Sequence, residues 1–145
     1  MRFAIFVLST LFSFSAFANF TGLWAGKGHM VDGNGAIQQC KNASLELSHT
    51  DTNFNLTIGV FECEYLKMTW SPLSLEIKDG ELLSNGVSLG NISEDFLYAR
   101  QQNSENGSIA VYQAEISEVG LNFKETLMDA EGNIILSVEA DLVKQ

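Results

Sequence analysis

Cys40 and Cys63 are the only cysteines of the 145-residue chain, and in an exported protein a lone pair of thiols forms a disulfide. His29 and His49 are the only histidines. Strand alternation puts His29 on an outer face beside Lys27, and His49 borders a turn, so both read as solvated and neither is expected to hold a metal. Asp32-Gly33-Asn34-Gly35 has the outline of a calcium loop, but Ala36 and Ile37 stand where further oxygen ligands are needed, so it reads as a turn. No nucleophile elbow, H-E-x-x-H run or glycine-rich phosphate loop is present, and no Ser/His/Asp spacing marks a triad. No catalytic residue, metal or cofactor is therefore expected, and the chain does not read as an enzyme. Polar residues that interrupt an apolar face are the remaining candidates: Gln39, Lys41, Glu62, Glu64, Tyr112 and Glu125. A charge in an apolar lining is costly unless paired. Facing registers set Lys41 opposite Glu62 and Tyr112 opposite Glu125, either as groups that orient a ligand's polar head, or as residues of a wet rim or ones that a bulge turns outward. Five N-x-S/T triplets, at Asn19, Asn42, Asn55, Asn91 and Asn106, matter only in a eukaryotic secretory protein.

The elements that must position these residues are strands. Turn signals recur at Asp32–Gly35, Thr50–Asn53, Ser71-Pro72, Asp79-Gly80, Asn85-Gly86, Ser93–Asp95, Asn106-Gly107, Ser117–Gly120 and Asp129–Gly132. Between them lie runs of Val, Ile, Phe, Tyr and Thr with period-two alternation, and no helix-period segment survives the punctuation. A turn at Thr50–Asn53 sets Leu47 opposite Leu56, Leu45 opposite Ile58 and Ala43 opposite Val60, and on the other face pairs Cys40 with Cys63. The loop at Ser117–Gly120 sets Ala114 opposite Phe123. The loop at Asp129–Gly132 sets Phe123 opposite Val138, and the first turn sets Trp24 opposite Ala43. These registers place Phe20, Trp24, Met30, Leu45, Leu47, Phe54, Leu56, Ile58, Val60, Leu66, Met68, Trp70, Phe123 and Leu127 on the inward face, with Ile134, Leu136, Val138, Ala140 and Leu142 of the last strand. Phe61 and Tyr65 fall outward beside the disulfide.

Two arginines and six lysines against 18 acidic residues, with a net charge of −10, argue against nucleic acid, whose phosphates need clustered cations. Residues 1–18 combine Met1-Arg2, an apolar run from Phe3 to Phe17 and the Ala16-Phe17-Ala18 triplet, the pattern of a cleaved signal peptide. The expectation is a secreted or periplasmic protein whose residues 19–145 form one domain. Its fold is expected to be all-β, an antiparallel up-and-down (meander) β-barrel of about 8–10 strands, because an even number lets the last strand close on the first and removes both edges. A β-sandwich is the alternative. A membrane-spanning barrel is disfavoured because the last strand would present Asn133, Ser137, Glu139 and Asp141 outward, where lipid requires apolar side chains.

Gly22-Leu23-Trp24 followed by Gly26 and Gly28 resembles the opening of the lipocalin-like (calycin) barrels, and the G-x-W-x-G-x-G pattern is similar to that of nitrobindin-type barrels. The resemblance implies a closed barrel end at Trp24. It makes Arg100, the only arginine after residue 18, the candidate for the basic side chain that lipocalins lay across that tryptophan. Haem ligation of the nitrobindin type needs an inward histidine, which this chain lacks by register. Gly22, Gly26 and Gly28 either leave room for a ligand or let the strand coil tightly at closure. Together these readings predict a small apolar ligand in the interior, held by Trp24, Met30, Met68, Trp70, Tyr112, Phe123 and Glu125. The alternative is an envelope interaction or inhibitor module with a filled barrel, using Phe61 and Tyr65 as its patch. No protein partner is named by the sequence.

Overall fold

The computed structural model describes residues 20–145; the expected signal peptide lies outside the described residues. Eleven antiparallel strands follow one another: β1 (Gly22–Asp32), β2 (Ile37–His49), β3 (Asn53–Cys63), β4 (Lys67–Trp70), β5 (Leu73–Lys78), β6 (Glu81–Ser84), β7 (Val87–Ile92), β8 (Phe96–Gln102), β9 (Ile109–Ser117), β10 (Gly120–Met128) and β11 (Ile134–Lys144). Both β4 and β5 pair with β3. They are one stave broken at Ser71-Pro72, where proline has no N–H for the ladder. Ten staves result, each paired with its neighbour in sequence, and β11 pairs antiparallel with β1 to close a meander barrel.

Every expected turn position lies between strands. Asp79-Gly80 and Asn85-Gly86 both place two consecutive residues at positive φ, the primed turn that suits strand twist. Asp32 Oδ1 accepts from the Asn34 and Ala36 amides, so the calcium-like segment is an Asx-type turn. The hairpin at Glu64–Leu66 was not expected. It has no Gly, Pro or Asn, and is held by the Cys63 N–H donating to the Leu66 carbonyl at 2.8 Å and the Tyr65 N–H to Gln38 Oε1 at 3.1 Å.

Bulges correct the expected registers. Thr57 is an extra residue in β3, so Leu47 still faces Leu56 but Leu45 faces Gly59 and Ala43 faces Phe61. Ile58 and Val60 therefore turn outward, with Ile58 half-exposed, while Phe61 is fully buried. A second bulge at Lys41-Asn42 in β2 leaves both residues exposed and turns Cys40 inward. The disulfide joins Cys40 to Cys63 as expected, but it belongs to the core and not to the outer face. Gln39, Lys41 and Glu64 are exposed. Glu62 points outward to an ion pair with Lys67 at 2.7 Å and accepts from Asn42. Leu66 and Ile134 are also exposed, correcting their inward assignment. With Phe61 inside, the expected outer patch reduces to Tyr65.

At the two ends of the chain the register is offset by two from expectation. Trp24 faces Leu45 and not Ala43, and Phe123 faces Ala140 and not Val138. In each case a loop one residue longer than expected adds to a bulge, so side chains beyond the bulge, Trp24 and Phe123 among them, keep their faces, while Cys40 and Ile134, between loop and bulge, change face. The Ser117–Gly120 register holds throughout, with Ala114 opposite Phe123 and Tyr112 opposite Glu125.

Gly26 and Gly28 serve closure. A Cβ on Gly26 would sit 2.1 Å from the Asp141 carbonyl oxygen, and one on Gly28 2.4 Å from that of Glu139. Only glycine lets β1 and β11 approach this closely.

Candidate functional site

The barrel has a filled end and a hollow one. At the filled end the Trp24 indole N–H donates to the Phe20 carbonyl at 2.8 Å. Lys144 Nζ lies 5.6 Å from the Trp24 ring centroid, so Lys144 occupies the place expected for Arg100, which is exposed on β8. His49 is half-buried here, correcting its solvated reading. Its ring lies 5.7 Å from Phe20 and 6.2 Å from Phe54. Desolvation holds its pKa below the ordinary histidine value, partly offset by Asp51, and Nδ1 is buried without a partner.

Beyond this plug lies a cavity of about 260 Å³ walled by Phe54, Leu75, Leu97, Ala99, Trp70 and Phe123. It reaches the barrel wall at Ser71-Pro72 and Gln101. The wall is thin there for a topological reason. Among the described residues β4 pairs only with β3, and Arg100–Gln102 pair only with β9. The short hairpin β6–β7 does not reach far enough to pair with either edge.

Trp70 and Tyr112 stand where the cavity meets two further chambers on the hollow side, and Glu125 lines both chambers. Gly59 seats the indole of Trp70: a Cβ there would fall 2.9 Å from Trp70 Cε3. Phe61 and Phe123 both pack edge-on to the indole, with ring centroids at 4.8 and 6.3 Å. Glu125 is half-buried. Burial raises its pKa to about 7, while the Trp70 indole and the Tyr112 hydroxyl beside it pull the other way. Neither donor reaches full hydrogen-bonding geometry with Oε2, which is buried and unpartnered. The same surroundings push the Tyr112 hydroxyl up to about 12, through burial first and then the charge of Glu125. A half-buried carboxyl beside an indole N–H and a phenol can accept a hydrogen bond from an incoming group.

Of the seven expected site residues, the structure gathers five: Met68, Trp70, Tyr112, Phe123 and Glu125. Trp24 and Met30 are instead packed core, 4% and 2% exposed, and line neither the cavity nor the chambers beside Glu125. Trp24 is the plug of the filled end, and Met30 stands opposite Val138 in the core. Sequence reasoning missed Gly59, Leu97, Ala99 and Pro72. Only Pro72 carried a local signal, and that signal marked a turn.

Searched against known families, the chain matches no family model, and no curated protein matches it significantly. The likeness to calycins is consistent with the closed antiparallel barrel; the G-x-W-x-G-x-G opening gains no independent support. A core disulfide suits an oxidising, non-cytoplasmic compartment.

Proposed function

We propose that this is an exported protein, secreted or periplasmic, whose lipocalin-like barrel captures a small, largely apolar molecule. The observation that carries the reading is the apolar cavity of about 260 Å³ that ends at Trp70 and Tyr112, with the partnerless Oε2 of Glu125 in the chambers beyond them. That volume lies just below the roughly 300–1,000 Å³ of common ligand pockets, which favours a small or narrow ligand. Burying its hydrocarbon contributes about 25 cal/mol per Å², and the polar collar fixes its orientation. The gap beside Ser71-Pro72 is the natural way in. The outward faces of the closing strands, which carry Lys27, Asn122, Glu139 and Asp141, favour water over lipid around the barrel.

Native mass spectrometry of the exported protein and displacement of the neutral fluorophore N-phenyl-1-naphthylamine test the reading. Ala99→Phe fills the cavity from β8 and is expected to weaken fluorophore binding at least tenfold, about 1.4 kcal/mol, with the thermal transition retained. A protein that carries no ligand and binds no fluorophore ends the proposal.

A further inference from the structure

Among the described residues, the side chains lining the cavity and the two chambers include a single carboxylate, Glu125, and a single ammonium, Lys67. Lys67 is already engaged. Its Nζ lies 2.7 Å from Glu62 Oε1 at the exposed rim. Glu125 is the reverse case: the Trp70 and Tyr112 donors stand beside its carboxyl, but Oε2 is buried without a full hydrogen-bond partner. The elements packed around it offer Tyr112 from β9, Trp70 and Met68 from β4 and Val138 from β11; among these Tyr112 alone titrates. Two aromatic side chains and a carboxylate oxygen without a full hydrogen-bond partner thus meet where the apolar cavity gives way to the two chambers.

We infer that the ligand is an amphiphile with a protonated amine head, its tail in the cavity and its ammonium donating to Glu125 between Trp70 and Tyr112. The inference rests on the proposed function and adds the chemistry of the head group. An ammonium supplies the donors that Oε2 lacks. A fatty-acid carboxylate meets the opposite conditions: a second acceptor against a first, with no free cation to balance either. Burial makes ionisation of Glu125 costly in the empty barrel, and an arriving cation reverses that cost. The acidic surplus of the whole chain, 18 carboxylate residues against 8 basic ones, attracts cations at long range and repels anions.

Three probes with one tail separate the possibilities: octylamine, octanol and octanoate, each displacing N-phenyl-1-naphthylamine from the exported protein above pH 7. Octylamine is expected to compete at least tenfold better than octanol, with octanoate weakest. Glu125→Gln is expected to abolish the preference, so that octylamine and octanol compete equally in that variant. If the fluorophore binds but octanol or octanoate matches octylamine, the amine assignment is overturned while the apolar cavity stands. An amine preference that survives in Glu125→Gln overturns it equally, because the acceptor is then elsewhere. If the fluorophore does not bind at all, both readings fall.

Discussion

Glu125 is the residue at which the fold works against itself. Its carboxyl is held at about pKa 7 against an ordinary 4.5, mainly by burial, so the folded chain binds this proton more tightly than the unfolded one. The resulting stability is complete below about pH 4.5, is lost as pH rises towards 7, and changes no further above that. Glu125→Gln is therefore expected to be more stable than the natural chain at about pH 8, by on the order of 2–3 kcal/mol, and to match it near about pH 4. His49 has the opposite slope, since its lowered pKa removes stability as pH falls through the ordinary histidine range; it is common to both proteins and cancels in the difference. Urea titrations at the two pH values check this, and an equal difference at both would refute the burial argument. The pair Tyr112–Glu125 was legible in the sequence because the tight Ser117–Gly120 loop propagates one register without a bulge. Lys41, Glu62 and Glu64 were misplaced because they lie close to bulges or to an unmarked turn. Trp24 and Met30 were correctly placed inward, but alternation gives a side chain's face and not whether the space beside it is filled.

Among the elements, β2 and β3 show how two irregularities can hide from sequence arithmetic. Lys41 adds one residue to β2 and Thr57 adds one to β3, so the Cys40–Cys63 pairing emerges correctly although the stretch between is displaced. β-Bulges carry no compulsory residue type, and neither Lys41 nor Thr57 announces one. Strand count was legible because Asp-Gly and Asn-Gly turns leave a chemical mark, whereas Glu64–Leu66 turns on backbone and Gln38 contacts made only after folding. The bulged register has a sharp consequence. Ile58→Lys is expected to change stability by less than about 0.5 kcal/mol, because the side chain faces outward and is half-exposed. Phe61→Ala is expected to cost about 3–5 kcal/mol, because it empties a fully buried site against Trp70 and Phe123. Equilibrium unfolding of the two variants distinguishes the registers; an unbulged ladder would make Ile58 the costly position and Phe61 the tolerant one.

For the whole molecule, closure and hollowness are coupled. A barrel of ten staves encloses more space than its side chains fill, and here Trp24 with its neighbours plugs one end while the cavity occupies the middle. Closure depends on β1 lying close enough to β11 for Gly26 and Gly28 to face bare carbonyls. The glycines of the G-x-W-x-G-x-G opening thus explain themselves without any ligand, as spacing between the first and last strands. Gly26→Val should then act far beyond its own site. Its branched side chain cannot coexist with the Asp141 carbonyl, the β1–β11 ladder must part, and two long edges are left to pair with other chains. The expected result is a loss of more than about 4 kcal/mol together with concentration-dependent association on size-exclusion chromatography and weakened fluorophore capture. Gly35→Ala is the control. It also sits at a glycine, with φ +84° but open space around it, and is expected to cost only about 1 kcal/mol and to stay monomeric. A monomeric, fully stable Gly26→Val protein would mean that the ends of the sheet need not meet, and that the cavity is not sealed by closure.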